Sequence, residues 1–429
     1  MASLGLNSPK AFQAWYEEAM EGRETEGLNI EGFEWAEPQL DFTYAFLEAS
    51  GRIKTMATYV DPNSEPLARG KEVELAKLEG TIPRQKRKIN RGENDYRKEL
   101  IALKDADIMA RFRGEAPEAG VKAYLANNLF DTLAEIPDSH NASITYQVGQ
   151  MKSARKLVLT EDNNKGGIIG AEFSAQVPDE NIVTEDWYTV DADGKITYVE
   201  SVDPIMTLKK KIRAIKQDKY RGYTNVAVEI NGKTLFTIAE HPAVLTKLGY
   251  SLRPELMVSP NNNNNALKVG TDAYYSNQDG YMTDYIRRAI GADQLIVNDT
   301  IVGVDKLNNA TKKFEQKKLD VFEEGTILIR PAGIIGSIFN VVPLRPDGQA
   351  IVAGIFGGRG IIEYRYNRET RTQTWVSELT ALAVPNAPKK LYYYNVQGTT
   401  PVDEGTDEGT DEGTDSGTDS GAGEGAGTE

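Results

Sequence analysis

Residues 117–155 read PEAGVKAYLANNLFDTLAEIPDSHNASITYQVGQMKSAR and carry the strongest helical pattern in the chain. Apolar side chains from Val121 to Ile136 recur at spacings of three and four residues, which places them on one face of a helix. Pro117 stands where a first-turn proline is tolerated. Because a proline removes a backbone donor, Pro137 predicts a break or kink with a second helix after it.

Downstream of this helix, short β-branched segments alternate with turn residues. Lys156–Thr160 and Ile168–Val177 flank a glycine-containing turn and predict a hairpin. Asp203-Pro204 predicts the start of a helix, because aspartate caps and proline fits the first turn. Arg371–Val384 predicts a strand of about 45 Å, much longer than usual. A last strand is expected at 391–396.

Upstream, residues 1–50 predict an irregular N-terminal arm that begins with a short helix. Trp15 lies on the apolar face of that helix, and Phe33 and Trp35 are apolar anchors farther along. The pattern leaves open whether these three side chains dock on the chain's own body or on another subunit.

Residues 51–98 are charged and poor in core-forming side chains, apart from a predicted strand at 53–60. Such a segment buries little of itself, so an extended loop completed by a neighbouring molecule is expected. Its cations are Arg84, Lys86, Arg87, Lys88 and Arg91. Acids interrupt the cluster and only one aromatic is interleaved, which favours ion pairs with an adjacent subunit over nucleic-acid binding.

Composition excludes several function classes. The chain has 429 residues, 40% of them hydrophobic, and no cysteine, so disulfides and zinc–thiolate sites are ruled out. No run approaches the ~18 consecutive apolar residues of a membrane helix. The first ten residues lack a secretory signal pattern, which predicts synthesis in a cytoplasm.

The net charge of −15 is concentrated at the C-terminus. Residues 403–429 hold ten acids and no Lys or Arg, and without them the net charge is −5. The Asp-Glu-Gly-Thr repeats have no apolar residue larger than alanine, so we expect residues 397–429 to form a disordered tail.

The catalytic motifs are incomplete. His140 and His241 lack partners of the HExxH type and are interpreted as surface or capping residues. Gly232-Lys233-Thr234 imitates a phosphate-binding loop, but we interpret Asn231-Gly232 as a hairpin turn before a strand at 235–238. Gly354–Gly360 predicts a bend between strands, and Asp191–Gly194 a hairpin turn in place of a calcium loop. The sequence therefore predicts no catalytic, cofactor-binding or metal-binding residues.

The order of these segments resembles the major capsid proteins of tailed bacteriophages with the Hong Kong 97-type fold, nearest the lambda-type major capsid protein E family. Four groups of sequence segments carry the resemblance. They are Asp203-Pro204-Ile205, Asn225–Ile230 with His241-Pro242-Ala243-Val244, Leu295–Val304 with Thr326–Pro331 and Gly333–Val342, and Trp375–Pro385 with Asn386-Ala387-Pro388. Together they cover roughly residues 50–396. The acidic repeat after Asp403 has no counterpart in that family.

The resemblance implies an α+β fold with six parts. These are an N-terminal arm at 1–50, an extended loop at 51–98, a peripheral domain with a spine helix and hairpin at 99–200, a mixed α/β axial domain at 201–350, returning long strands and a closing axial strand at 351–396, and the tail at 397–429.

By function, the resemblance implies a structural subunit that forms pentamers and hexamers of an icosahedral phage head. Separate scaffolding and portal proteins, and decoration proteins, are the expected partners. DNA would be enclosed without sequence-specific binding, with no membrane and no cofactor involved. Assembly is expected in the host bacterial cytoplasm, and the virion capsid is the expected location. An encapsulin-like compartment shell and a β-rich surface binding protein remain alternatives.

Overall fold

A computed structural model describes most of the chain in separate segments. They are residues 9–20, 24–49, 75–91, 101, 104–105, 117–164, 167–191, 193–218, 222–245, 283–307, 314–343, 351–367 and 372–399. The predicted strand at 53–60 and the predicted tail at 397–429, except for residues 397–399, lie outside the described residues.

The predicted α+β class is confirmed, because helices and β-sheets pack together throughout the described chain. The longer helices among the described residues are α1 (Pro9–Ala19), α2 (Pro117–Ser153), α3 (Pro204–Gln217), α4 (Gly232–Glu240) and α5 (residues 283–290). The first strands are β1 (Phe33–Trp35), β2 (Thr43–Ala49), β3 (Leu75–Thr81), β4 (Arg84–Arg91), β5 (Lys156–Val158), β6 (Glu172–Ser174), β7 (Ile182–Val190), β8 (Ile196–Tyr198) and β9 (Val226–Ile230). The remaining strands are β10 (Gln294–Val297), β11 (Ile301–Leu307), β12 (Phe314–Asp320), β13 (Thr326–Pro331), β14 (Gly336–Val341), β15 (Ile351–Ile355), β16 (Gly360–Asn367), β17 (Thr372–Pro385) and β18 (Tyr392–Thr399).

Strand β17 organises the first six-stranded sheet, which we call the long sheet. Its order is β1-β14-β17-β16-β15, with β4 also paired to β17. One edge of β17 bonds to β16, and the other bonds to β4 along Gln373–Thr380 and to β14 along Thr380–Pro385. The predicted long strand is confirmed, and its 14 residues join three neighbours.

The second six-stranded sheet, which we call the mixed sheet, has the order β10-β9-β13-β18-β7-β8. Two of its pairs are parallel, β10 with β9 and β18 with β7. Its two faces meet different parts of the molecule. Val228, Ile329 and Tyr392 join one apolar cluster with α3 and α4, whereas Leu328 and Tyr393 join the cluster around α2 and the long sheet. Both faces are therefore covered.

Helix α2 runs through Pro137 without interruption for 37 residues, so the predicted second helix is wrong. An interior proline costs about 3 kcal/mol. Ile136, next to the proline, and Ile144 and Val148, farther along the same helix, are only 0–1% exposed. Burying each such side chain contributes roughly 1.5–3 kcal/mol, which outweighs the lost hydrogen bond.

The predicted strand at 235–238 is also wrong, because helix α4 spans Gly232–Glu240. Asn231 is its N-cap and accepts from the Lys233 backbone N–H, where the sequence pattern indicated a hairpin turn. Leu235, Ile238 and Ala239 are buried at helical spacing. The Gly232 N–H donates to the Asp299 carboxylate at 2.7 Å, so a carboxylate of the chain itself already occupies this helix start.

Part of the predicted extended loop is sheet. Strand β3 pairs with β2 from Thr43↔Thr81 to Ala49↔Leu75, and β4 belongs to the long sheet. Tyr44 stacks on Phe339 with ring centroids 5.1 Å apart and fixes the base of the β2–β3 hairpin on that sheet. Residues 75–81 and 84–91 of the predicted extended loop are therefore strands, and its completion by a neighbouring molecule stays a prediction. The predicted β5–β6 hairpin, the Asp203 cap and the two bends near Gly194 and Gly358 are confirmed.

Candidate functional site

The two histidines are structural in the described chain. His140 is 2% exposed, and its Nε2 lies 2.9 Å from Ser377 Oγ. Burial, and secondarily the charge of Arg87, lowers the pKa of His140 to about 4, so the ring is neutral near pH 7. The expectation of a surface or capping histidine is wrong for His140. His241 does cap, since its Nδ1 accepts from the Ala243 N–H at 3.2 Å.

Within the described ranges, no group of three or more His, Asp or Glu side chains is arranged to hold a metal ion. None of the helices described combines the length and apolar character needed to cross a bilayer. We therefore sought the candidate site among the charged side chains and the arm contacts.

The predicted basic cluster lies on β4, at an edge of the long sheet. Arg84 and Lys86 both pair with Glu378 of the same chain, at 3.1 and 3.2 Å. On the opposite face, Arg87 pairs with Glu135 of helix α2 at 2.5 Å. These three cations therefore have acidic partners within the chain, and their pairing with acids of an adjacent subunit stays a prediction.

The outward face of β4 remains available. Arg84 and Lys86 keep about half of their side-chain surface, 46% and 53%, and Lys88 is also exposed. The side chain of Arg91 lies outside the described ones. A contact of this stripe with a second subunit stays a prediction.

The arm docks on its own chain. Phe33 is 5% exposed and packs against Gly336, while Trp35 lies under the Arg359 guanidinium, 5.2 Å from the ring centroid. Phe33 thus docks on its own chain, and any contact with another subunit stays a prediction. Trp35 is half-buried and its contact with a second subunit stays a prediction; the Trp15 side chain lies outside the described ones.

Two further contacts hold the arm across the body. The side-chain amide of Gln13 on α1 donates to the Gly354 carbonyl and accepts a hydrogen bond from the Gly354 N–H. These two bonds cover the edge of β15. Asn141 of α2 donates to the backbone carbonyls of Glu24 and Glu26, at 2.6 and 3.1 Å. The arm therefore crosses α2 between its contacts with β15 and β14.

A buried charge cluster, which sequence analysis missed, joins α2 to the mixed sheet. It consists of Lys152, Glu229 and Arg330, which are 2%, 0% and 1% exposed. Lys152 Nζ lies 2.9 Å from Glu229 Oε1, and Arg330 Nε lies 3.0 Å from Glu229 Oε2. Asn298 also donates to Glu229, at 3.2 Å.

Local structure explains how these side chains meet. Glu229 on β9 lies opposite Leu328 on β13, and Leu328 lies opposite Tyr393 on β18, so all three face α2. Lys152 stands in the last turn of α2, where a cation also interacts favourably with the helix dipole. The Tyr393 hydroxyl donates to the Met151 carbonyl at 3.3 Å in the same layer.

The arm extends this cluster. Arg330 NH2 lies 3.5 Å from Glu31 Oε1, and its NH1 donates to the carbonyls of Pro331 and Gly333. Burial acts to raise the pKa of Glu229, but the charges of Lys152 and Arg330 outweigh it and lower that pKa, so the carboxylate stays charged. The arrangement has no reactive group of its own; it locks the arm, the helix and the mixed sheet together.

Comparison with known proteins gives structural likenesses only. No family model and no curated protein matches the chain. Solved structures of phage capsids resemble it. A chain of the procapsid of satellite phage P4 has a TM-score of 0.40 and 9% identity, over 90% of this chain and 91% of that one.

Two further structures give similar values. A phage-related protein from Bordetella bronchiseptica RB50 has a TM-score of 0.37 and 11% identity, over 89% of this chain and 96% of that one. The capsid of Staphylococcus phage Andhra has a TM-score of 0.38 and 10% identity, over 85% of this chain and 82% of that one.

Proposed function

We propose that this chain is the structural subunit of an icosahedral phage head, self-assembling as pentamers and hexamers that enclose the genome. The observation that carries the proposal is the order of the described elements. The N-terminal arm lies across helix α2 and is followed by the paired strands β2 and β3. The 37-residue helix α2 comes next. Near the end of the chain, the 14-residue strand β17 precedes β18, which joins the mixed sheet. This is the order that the sequence resemblance predicts.

The surface of the described residues supports an assembling role. Leu40 and Phe42, at the base of the β2–β3 hairpin, are 80% and 45% exposed. Ile168 and Ile169, between β5 and β6, are 64% and 59% exposed. Exposed apolar side chains that lie together are typical of interaction sites. In the proposed shell, neighbouring subunits cover them.

The proposed role is not enzymatic and uses no cofactor. Pentamers and hexamers of this chain are its principal partners, with a separate scaffolding protein, a portal and decoration proteins. DNA is enclosed without sequence-specific binding, and assembly takes place in the bacterial cytoplasm. Closed symmetric assembly multiplies modest contacts, so each interface can be weak by itself.

Shortening the β2–β3 hairpin tests the proposal. Ala49 and Leu75 are paired residues, so a two-residue Asn-Gly turn can replace residues 50–74 without disturbing the register. We expect the variant to keep the thermal transition of the wild type but to form no shells, as judged by negative-stain microscopy and sedimentation. The wild type should form shells, alone or expressed with its neighbouring genes.

The β11–β12 hairpin provides a matched control. Leu307 and Phe314 are paired, so the same Asn-Gly turn can replace residues 308–313. This control should still assemble. Normal shells from the β2–β3 variant would refute the role of that hairpin, and a wild type that never forms shells would refute the proposed function.

A further inference from the structure

Helix α3 presents a basic face to solvent. All of its charged residues are cations, and Ile205, Leu208, Ile212 and Ile215 hold its opposite face on the mixed sheet. Lys209, Lys210 and Arg213 are exposed. The two remaining cations are engaged, since Lys216 pairs with Asp293 at 3.2 Å and Lys211 lies 4.6 Å from the Tyr392 ring centroid.

Lys209, Lys210 and Arg213 differ from the cations of β4 in their distance from acidic side chains. On β4, Arg84 and Lys86 share Glu378. Among the described residues, no carboxylate lies within ion-pair distance of Lys209, Lys210 or Arg213. A surface with three cations and no acid of its own is suited to bind a polyanion.

The chain contains such a polyanion. Segment 403–429 holds ten acids and no Lys or Arg, and its first acids form the pairs Asp403-Glu404, Asp407-Glu408 and Asp411-Glu412. An extended chain advances about 3.3 Å per residue, so successive pairs can lie about 13 Å apart. The distance along α3 from Lys209 to Arg213 is about 6 Å. One acid pair can therefore contact the basic face at a time.

The end of the described chain lies beside the start of α3. Val199 bonds to Trp187 and leads through Asp203 into the helix, while β18 ends beside β7 with Thr399 paired to Val190. At its other end β18 begins at Tyr392, beneath Lys211. Helix α3 thus runs antiparallel to β18 and begins near the end of β18 at which the described residues stop. Asp403, the first residue of the first acid pair, follows Thr399 by four positions, which can span about 13 Å.

We propose that the acidic segment 403–429 docks on the outward face of α3 in the same chain, through Lys209, Lys210 and Arg213. A tether of this length keeps the local concentration of the segment in the millimolar range, so weak ion pairs suffice. Because exposed charges are screened within about 8 Å at physiological salt, docking weakens as salt rises. While docked, the segment shields these cations from other polyanions, including nucleic-acid phosphates.

The absence of cysteine allows a direct measurement. A Ser416→Cys variant of the full chain has one thiol, and a fluorescent dye on it reports local mobility by anisotropy. We expect high anisotropy at low salt that falls at high salt. Lys209→Glu with Arg213→Glu should abolish most of that salt-sensitive anisotropy. Lys88→Glu with Lys318→Glu, an equal charge change on exposed strand residues, should leave it unchanged.

Carbodiimide cross-linking gives a second readout, because it joins lysines to carboxylates in direct contact. Trypsin releases everything after Lys390 as one peptide, since no Lys or Arg follows. We expect this peptide to be linked to Lys209 or Lys210 in wild-type chain at high dilution. Links to lysines outside α3 only, or links that disappear on dilution, would overturn docking within one chain.

Nucleic acid is the competing occupant. If the segment shields α3, deleting 403–429 should raise the affinity for a short DNA duplex several-fold, and the two α3 reversals should cancel the gain. An unchanged affinity after the deletion, with a loss of binding on reversing Lys209 and Arg213, would mean that the face serves DNA and would overturn the proposal.

Discussion

Replacing Glu229 with glutamine tests the buried charge cluster most directly. The substitution keeps the shape of the side chain but leaves Lys152 and Arg330 without their shared anion, at 2% and 1% exposure. Removing one partner of a buried pair costs about 3–5 kcal/mol, because the remaining charge is uncompensated. We expect Glu229→Gln to lower the free energy of unfolding by this amount. Lys152→Met should cost less, since Glu229 keeps Arg330 and Asn298.

Tryptophan fluorescence during urea unfolding provides the assay. Trp187 lies in the mixed sheet and Trp375 in the long sheet, both at 0–1% exposure, so single Trp→Phe variants separate the two sheets. As a control, Asp162→Asn breaks the exposed pair with Lys317, whose side chains are 59% and 41% exposed, and should cost about 0–1 kcal/mol. A loss for Glu229→Gln no larger than that control would refute the reasoning.

Two further predictions concern helix α2. Burial and Arg87 lower the pKa of His140 from 6.5 to about 4, so the unfolded chain takes up a proton that the folded chain does not. Stability is therefore complete above pH 6.5 and should fall by about 3 kcal/mol toward pH 4, a loss that His140→Gln reduces; equal pH slopes for the two chains in urea titrations would contradict this. Gly149→Ala, which usually stabilises a helix by about 1 kcal/mol, should destabilise here by roughly 1–3 kcal/mol, because its Cβ meets the side chain and carbonyl of Val321. A higher melting temperature would refute that packing.

Local patterns predicted the elements whose stability is local. The short helix near Tyr16, the Asp203-capped helix and the hairpin near Gly194 each carry their own spacing, cap or turn signal, and the structure confirms them. The sequence predicts a strand where helix α4 forms, because Asn231-Gly232 suits either a hairpin turn or a helix cap. Only the packing of Leu235 decides between them.

The missed strands depend on pairing partners that their own residues do not indicate. Strands β4 and β12 read RQKRKINR and FEQKKLD, which lack an apolar alternation. They form because β17 and β11 offer complete ladders, and Glu378 balances two cations of β4.

The buried cluster could not be predicted for a related reason. Glu229 in VAVEI suggests a solvent-facing position, and its partners Lys152 and Arg330 are 77 and 101 residues away. Nothing in the local sequence brings these three side chains together.

The contact between Gln13 and Gly354 also determines when, during synthesis of the chain, the arm can bind the rest of the protein. The two residues are 341 positions apart, so the arm leaves the ribosome long before its binding surface exists. At roughly 5–20 residues per second, the interval is on the order of tens of seconds. During that time α1 and β1 have neither β15 nor β14 to bind. Because the N-terminal segment must wait for the last third of the chain, closure of the arm is a late and essentially post-translational folding step.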